Sequence, residues 1–300
     1  MPPHGSNPLA RFTMKIPALL TALALTATAG AQTSTLGEGD SYAWSANVGW
    51  LELMPQRPAP GDGVIVTDTH LAGYGWSDST GWINFGDGTP GNGVRYGNAT
   101  GADAGVNHDG SGNLSGLAWS ANLGWINFGW AAPADANRPR FDLITGAFTG
   151  YAWSSNAGWI NLNSGLLKTD YMCVVDNDHD GISDSWEIEN AEGISLLTAT
   201  GDYDGDGVSD LDEYFADTSP LDPADHLSIL AYSGAATSSS LTWTSRPTRI
   251  YRIAQTTDLA SWLTGSDFLP DAGSQTTRAV THPAGPRRFF RVEAVIPLAK

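Results

Sequence analysis

Two acidic stretches near the middle of the chain have the residue types and the spacing of a metal-binding loop. In residues 176–187, carboxylates occupy positions one, three, five, nine and twelve, and Gly181 stands at position six. Residues 202–213 repeat this spacing, with Gly207 at position six. Ca²⁺ takes six to eight oxygen ligands, which the alternate side chains of a tight loop can supply from one side. The spacing therefore predicts two Ca²⁺ sites.

Each predicted ligand residue offers an oxygen atom that can point into the loop. The oxygen belongs to a side-chain carboxylate or, at position seven, to the backbone carbonyl. They are Asp176, Asp178, Asp180, Ile182, Asp184 and Glu187 in the first loop, and Asp202, Asp204, Asp206, Val208, Asp210 and Glu213 in the second. Mg²⁺ demands tighter octahedral geometry and retains its waters, so calcium is the expected cofactor at both sites. His179 falls at a variable loop position and is not expected to be a ligand.

The flanks of the loops differ from those of a paired EF-hand. The first ligands of the two loops are only 26 residues apart, and the segment entering the first loop is short and β-like. Short helices are predicted to leave the loops at residues 185–190 and 211–216. The phrases DGISDSWE and DGDGVSDLDEYFADTSPLDP resemble the thrombospondin type 3 and dockerin-like calcium repeats of exported bacterial proteins. This resemblance implies a calcium-stiffened spacer between domains, and a dockerin would also recruit a cohesin partner.

The charge of the chain is concentrated in this segment. Residues 170–225 contain 17 Asp and Glu and no Lys or Arg, which matches the formal net charge of −17 for all 300 residues. Such a block repels nucleic acid and anionic membranes and suits a cation. The chain has no basic stripe of the kind that contact with phosphates needs, so a nucleic-acid partner is not expected.

The elements before the loops contain one motif four times. Variants of W-S-x-N-x-G-W occur within residues 41–53, 73–85, 116–128 and 150–162, which we call units one to four. Aromatic and apolar residues on both sides of S-x-N-x-G predict a β-hairpin in each unit, in which Asn caps its own turn and Gly takes a positive φ. Residues 32–168 are therefore predicted to form an antiparallel β-repeat domain, either a prism, a propeller or a solenoid.

The paired tryptophans of each unit allow two interpretations. They can form the core, one pair per unit, or an exposed row of rings that stacks on sugars. Repetition in every unit favours the core, because every unit must pack against its neighbours. Asn84, Asn127 and Asn161 lie two residues after the second Trp and share its face, which keeps a ligand surface open. The block resembles G-x-A-W-S-x-N-x-G-W-I-N repeats of uncharacterised exported bacterial proteins, which implies export and β structure.

The amino-terminal residues have the pattern of a secretory signal. Met14 and Lys15 precede an apolar run over residues 16–27, and an A-x-A cleavage site follows at residues 29–31. We predict a signal peptide at residues 1–31, with Met14 as the true start, a secreted or cell-surface location and no membrane span after cleavage. An uncleaved anchor is the alternative. The chain has a single cysteine, Cys173, so a bound metal rather than a disulfide is expected to stabilise it.

The domain organisation follows from these patterns. The tandem calcium-binding loops are placed at residues 170–225. Residues 227–300 alternate apolar and polar residues between turn signals, which predicts a β-sandwich. The pattern LTWTSRPTRIYRIAQTTDLASW…GPRRFFRVEAV resembles the fibronectin-type-III-like modules that end many exported proteins. The fold is thus predicted to be mainly β, with small helices at the calcium loops.

No catalytic set is found in the sequence. It contains no G-x-S-x-G, H-E-x-x-H or P-loop motif, and its six His lack metal-ligand spacing. The leading hypothesis is an exported, non-enzymatic calcium-binding protein with a structural or interaction (adhesive) role. The alternative is a carbohydrate-binding protein that uses the repeat tryptophans or the sandwich, and a hydrolase is the weakest candidate. The expected partners are calcium and an extracellular polysaccharide or another surface protein.

Overall fold

Each copy of the tryptophan motif folds into a β-hairpin. The computed structural model describes residues 34–55, 63–191, 193–285 and 287–300, and the described residues belong to one structural unit. The predicted signal peptide at residues 1–31, including Met14, lies outside them. The strands up to residue 169 are β1 Leu36–Ser45, β2 Gly49–Glu52, β3 Ile65–Val66, β4 Leu71–Ser77, β5 Gly81–Gly86, β6 Val106–His108, β7 Leu114–Ser120, β8 Gly124–Asn127, β9 Arg140–Phe141, β10 Phe148–Thr149, β11 Tyr151–Ser154, β12 Gly158–Asn161 and β13 Leu167–Thr169. A short 3-10 helix spans Gly101–Asp103.

Eight of these strands close into an antiparallel barrel. The hairpins β1–β2, β4–β5, β7–β8 and β11–β12 pair edge to edge in chain order, and β12 pairs back with β1 through Trp44↔Asn161 and Ser45↔Ile160. Strand makes up 39% and helix 7% of the structure, so the mainly β prediction is confirmed. The predicted prism, propeller or solenoid is wrong. Because the first and last hairpins pair with each other, the repeats form a closed barrel with no free edge.

Small and branched side chains fill the barrel interior. Ala43, Ala118 and Ala152 on the first strands, and Ile126 and Ile160 on the second strands, are all at most 2% exposed. Side chains alternate between the two faces of a strand, so the tryptophans beside these residues point outward. An eight-stranded barrel has only enough interior space for its side chains, and small residues meet that limit.

The tryptophans pair across the hairpins as expected, but they lie on the outside of the barrel. In the first unit Trp44 stands opposite Trp50, and their ring centroids are 4.9 Å apart in an edge-to-face arrangement. Seven of the eight rings are 40–50% exposed, and Trp76 is half-buried. The interpretation that the tryptophans form the core is therefore wrong. Trp alternates with Ala and Ser along the first strand of the hairpin, and the smaller residues occupy the interior.

The leading glycine of the motif allows two backbones to approach each other closely. Gly116 has φ +82°, and a Cβ atom there would lie 2.3 Å from the carbonyl oxygen of Gly105. Gly105 immediately precedes β6, which pairs with β7. A side chain at this position would be strained by the left-handed backbone and would also collide with the neighbouring segment. This explains why the motif begins with glycine in three of its four copies.

The turn asparagines join neighbouring hairpins instead of capping their own turns. The Nδ2 of Asn122 donates to the carbonyl of Thr80 at 2.8 Å, that of Asn156 to Leu123 at 3.1 Å, and that of Asn47 to Ala157 at 3.1 Å. Each asparagine thus reaches the preceding unit around the barrel. Within the turns of units one and four, the serine at the first position accepts a bond from the backbone N–H of the third residue. We call these three cross-unit bonds the asparagine clasp.

We expect the substitution Ser79→Asn to complete the clasp and to raise the melting temperature. Ser79 stands where the other units have Asn, yet its turn has the same serine bond and the same positive φ at Gly81. An added hydrogen bond contributes about 1 kcal/mol to the free energy of unfolding. The matched variant Asn122→Ala should lower that free energy by a similar amount. Thermal melts of both variants in excess calcium test this, and an unchanged or lower melting temperature for Ser79→Asn would contradict it.

The segment after the barrel carries two short helices, α1 Asp184–Ala191 and α2 Asp210–Ala216. Both begin at position nine of a predicted calcium loop and confirm the predicted small helices. Ile182, Trp186, Leu197 and Tyr214 form a buried cluster between them, with the rings of Trp186 and Tyr214 5.4 Å apart. This cluster packs the two loops into one body.

Six strands in two antiparallel sheets form the carboxyl-terminal segment. They are β14 Ile229–Gly234, β15 Ser238–Thr244, β16 Ile250–Thr256, β17 Leu263–Thr264, β18 Gln275–Thr281 and β19 Phe289–Val295. One sheet has the order β14-β15-β18 and the other β17-β16-β19, and both contribute to a cluster around Trp243 and Tyr251. The segment is therefore β structure as predicted, but these two three-stranded sheets, one of which has a strand of only two residues, do not fit the predicted β-sandwich.

Candidate functional site

The two acidic loops have the same backbone conformation. In the first, Asp176 accepts bonds from the backbone N–H of His179 at 2.7 Å and of Gly181 at 3.1 Å. In the second, Asp202 accepts bonds from Gly205 at 2.9 Å and from Gly207 at 3.0 Å. The first residue of each loop thus binds the backbone of positions four and six. The same turn therefore occurs in both loops, with the same hydrogen bonds at the same loop positions.

Position four is left-handed in both loops, which the sequence interpretation overlooked. His179 has φ +64° and its counterpart Gly205 has φ +78°, while the position-six glycines have φ +93° and +94°. A non-glycine residue with such a φ is uncommon. The ring Nδ1 of His179 lies 2.9 Å from the carbonyl oxygen of Asn177, a contact inside the loop. His179 therefore has a conformational role. In the sequence, Gly205 at the same position of the second loop indicates that position four takes a positive φ.

The loop carboxylates converge. One oxygen each from Asp178, Asp180 and Glu187 lies within 4.8 Å of the others, and the same holds for Asp202, Asp204 and Asp206 in the second loop. Asp176, Asp178 and Asp184 form a further such group. Each group could hold a metal ion. Oxygen atoms are the ligands that Ca²⁺ and Mg²⁺ take.

The glutamates at position twelve are buried, and three of their four carboxylate oxygens have no hydrogen-bond partner. Glu187 and Glu213 are both 0% exposed. Both carboxylate oxygens of Glu187 and the Oε2 of Glu213 have no hydrogen-bond partner. Buried polar atoms are normally bonded, and a buried charge without a partner is costly. A cation between the loop ligands would supply the missing partner, so the donor set fits a metal ion.

Three aspartates add further buried oxygens without partners. They are Oδ2 of Asp180, Oδ2 of Asp204 and Oδ2 of Asp206. The other carboxylate oxygen of each residue accepts a backbone bond inside its loop, for example from Ile182 to Asp180 at 2.8 Å. One oxygen therefore holds the loop in place while the second remains for a ligand. This division recurs at positions three and five of the second loop and at position five of the first.

The electrostatics of the loops favour a positive charge among the carboxylates. Burial, followed by the neighbouring charges of Asp178 and Asp180, raises the pKa of Glu187 to about 7. Burial, followed by Asp204 and Asp206, raises the pKa of Glu213 to about 8. Burial also raises the pKa of Asp180. A bound divalent cation is the largest local charge in such a site and reverses this effect.

Asp184 and Asp210, at position nine, close the loops. Asp184 accepts from the backbone N–H of Asn177 at 2.9 Å and also from its side-chain amide. Asp210 accepts from the N–H of Tyr203 at 2.9 Å and of Thr198 at 3.0 Å. In twelve-residue calcium loops, position nine often acts on the ion through a water molecule. Sequence spacing alone did not reveal the loop-closing role.

The loop segment is held from both sides. The carboxylate of Asp68, between β3 and β4, accepts bonds from the hydroxyls of Ser183 and Ser185 at positions eight and ten of the first loop. On the other side, Arg249 donates to the carbonyls of Phe215 at 3.0 Å and Tyr214 at 2.6 Å, at the end of α2. These contacts join residues far apart in the sequence, and no sequence motif predicts them. The conformation of the loops is therefore tied to both β segments.

His226 is a further neighbour of the second loop. Its Nδ1 lies 3.2 Å from Oδ2 of Asp206, close enough for an ion pair but not aligned for a hydrogen bond. Twenty residues separate the two in the chain, so the loop pattern could not have included this histidine. Its ring screens one side of a predicted ligand.

The tryptophans form a second candidate site, a belt around the barrel. The second strand of each unit carries a polar residue that stands opposite the first Trp of the next unit. These cross-unit pairs are Glu52↔Trp76, Asn84↔Trp119, Asn127↔Trp153 and Asn161↔Trp44. Four Trp pairs therefore alternate with three amides and one carboxylate in a closed ring, which we call the tryptophan belt.

No protein-family model, curated protein or solved structure matches this chain. Within the residues that the structure describes, no helix is both long enough and apolar enough to cross a membrane. The candidate sites therefore rest on their own geometry.

Proposed function

We propose that this chain is an exported calcium-binding protein with a structural or interaction role, in which two Ca²⁺ ions stiffen the segment between the barrel and the carboxyl-terminal sheets. The observation that carries the proposal is Glu187, fully buried with both oxygens unpartnered and facing two further loop carboxylates. Glu213 stands in the same position of the second loop. A hard dication accounts for both residues at once.

Calcium fits the loops better than magnesium for a geometric reason. Each loop offers a carbonyl at position seven and carboxylates at five positions, the last of which is a glutamate that can bind with both oxygens. Ca²⁺ accepts such a large and flexible ligand set, whereas Mg²⁺ keeps several waters in a strict octahedron. Ile182 supports the assignment at position seven, because its side chain is buried in the cluster between the helices and so orients its carbonyl.

The stiffening role follows from the contacts on either side of the loops. Ser183 and Ser185 hold the first loop to Asp68, and Arg249 holds the end of α2. An ion that fixes the two loops would therefore also fix both junctions. In an exported protein with one cysteine, such metal sites replace the disulfides that other small exported domains use.

Carbohydrate binding by the tryptophan belt is the second candidate function. The exposure of the repeat tryptophans favours it, since Trp125 and Trp159 are 42% and 48% exposed and large apolar rings are normally buried. The two functions are compatible, because the belt and the loops use different residues.

Calorimetric titration of the full chain with Ca²⁺ tests the calcium proposal. We expect two equivalents to bind the wild type and one equivalent to bind each of Glu187→Gln and Glu213→Gln, because an amide cannot chelate the ion with two oxygens. Asp222→Asn, which removes a carboxylate just beyond the second loop, should still bind two. Titration with Mg²⁺ should give much weaker binding. A wild type that binds no Ca²⁺ at millimolar concentration would overturn the proposal.

A further inference from the structure

The tryptophan belt is not uniform, and two clefts on it combine aromatic rings with amide groups. We propose that these clefts, on units three and four, are subsites for an uncharged polysaccharide chain that lies along the belt. This inference rests on the second candidate function and specifies its ligand class and its residues.

The first cleft lies where unit two meets unit three. Asn84, Trp119 and Trp125 line it together with Gly101 and Ala104, and its volume is about 260 Å³. The Oδ1 of Asn84 accepts a bond from the N–H of Gly86 at 2.8 Å, which fixes the orientation of the amide. In the described part of the chain its Nδ2 has no protein acceptor. A hydrogen-bond donor therefore stands beside two exposed rings.

The second cleft lies on unit four and has a volume of about 280 Å³, with Trp130, Asn137, Tyr151 and Trp159 as its lining. Trp130 lies outside the repeated motif, yet its ring packs on Trp159 at 4.7 Å. Its indole Nε1 donates to the carbonyl of Tyr151 at 2.6 Å, which fixes the ring. Rings held in place before binding lose little conformational entropy when a ligand arrives.

The chemistry of the clefts selects the ligand. The C–H face of a pyranose ring stacks on an aromatic face, while its hydroxyls need hydrogen-bonding groups at the rim. Each cleft supplies aromatic rings and an asparagine. Each volume lies just below the usual range for drug-sized ligands, which suits a single sugar ring. The amides at the cross-unit positions repeat around the barrel, and a polymer with a repeated residue can meet successive positions.

Charge favours a neutral polymer. The chain carries a net charge of −17, whereas the belt contains one charged residue, Glu52, among its eight tryptophans and three asparagines. An anionic glycan or a nucleic acid would be repelled by the whole molecule, while an uncharged polysaccharide is not. The belt is also convex and interrupted by amides, so a flexible chain can follow it more fully than a rigid protein partner.

The test is affinity electrophoresis of the calcium-loaded full chain in gels containing hydroxyethyl cellulose, xylan or glucomannan, with calorimetry on the hexasaccharide of the polymer that retards it. We expect Trp125→Ala and Trp159→Ala each to weaken binding about tenfold or more, as buried aromatic contacts do at binding sites. Trp50→Ala is the matched control, because it has the same place in unit one and lines neither cleft. It should leave affinity within about twofold.

A conservative variant separates binding from folding. Asn84→Asp keeps the Oδ1 acceptor for Gly86 but removes the Nδ2 donor, so it should weaken binding several-fold while the melting temperature stays unchanged. If Trp50→Ala weakens binding as much as the cleft variants, the belt binds sugars without these subsites and our inference is wrong. If no polymer retards the wild type, carbohydrate binding fails as well, while the calcium titration stands independently. Dimerisation that Trp125→Ala abolishes, without sugar binding, would assign the belt to self-association instead.

Discussion

Chelation of calcium should lower the melting temperature of the full chain by more than about 10 °C. A ligand that binds only the folded state at a thousandfold excess over its Kd stabilises that state by about 4 kcal/mol, and the chain has two such loops. Without the ion, Glu187 and Glu213 are buried among like charges, and both oxygens of Glu187 and the Oε2 of Glu213 have no hydrogen-bond partner. For a chain of this length each kcal/mol corresponds to about 2–4 °C. Calorimetric melts in calcium and in chelator measure the difference.

The two Glu→Gln variants make this prediction specific, because their stability relative to the wild type should depend on whether calcium is present. In calcium, Glu187→Gln and Glu213→Gln should each lose about half of the stabilisation. In chelator, both variants should be at least as stable as the wild type, since a neutral amide removes one of the repelling charges. Asp222→Asn should respond to calcium like the wild type. A melting temperature that calcium leaves unchanged, or a full calcium response in Glu187→Gln, would refute the two-site interpretation.

Lowering the pH from 6.5 to 4 should destabilise the chain through His108. The ring of His108 is 1% exposed, and burial lowers its pKa to about 4 from an unfolded value of 6.5. Gly110 donates its N–H to Nδ1 at 3.2 Å, so Nε2 carries the proton and donates to the carbonyl of Thr67 at 2.7 Å. Well above pH 6.5 the histidine is neutral in the folded and the unfolded state, so its titration does not change the free energy of unfolding. Between pH 6.5 and 4 only the unfolded state takes up the proton, which removes up to about 3 kcal/mol of stability.

The variant His108→Gln isolates this contribution. It should be less stable than the wild type at pH 7.5, because the packing of the ring on Phe141 is lost. The difference in unfolding free energy should then shrink as the pH falls to 4, since glutamine does not titrate. Denaturant unfolding at fixed calcium and several pH values measures both curves, and a constant gap between wild type and His108→Gln would contradict the assignment.

Local patterns predicted the local features of this molecule well. The two acidic loops depend on spacing within twelve residues, and the structure brings together three carboxylates in groups that could hold a metal ion in both loops. The hairpins were predictable for the same reason, because S-x-N-x-G specifies a turn between two adjacent strands. The identity of the bound ion and the export of the chain remain predictions, since they depend on molecules outside the fold.

Features that depend on residues far apart in the sequence could not be predicted from the local motifs. Whether Trp153 faces inward depends on barrel closure, which pairs strands more than 100 residues apart. The run Ala152-Trp153-Ser154 did contain a usable signal, since two small residues flank the ring and a narrow barrel admits only the small ones. The asparagine clasp likewise depends on the neighbouring unit, so Asn122 looked like a local cap. The contact of Asp68 with the first loop has no sequence signature.

Barrel closure also has a consequence for the order of folding. The four hairpins bring together residues only a few positions apart, and such contacts form within microseconds. The seam between β1 and β12 joins residues 44–45 to 160–161, a far larger loop to close, so it should form last. Until then a nascent chain exposes two unpaired strand edges, which invite pairing with other chains. A translation product that stops before Gly158 would keep those edges permanently, and we expect truncation there to cause aggregation.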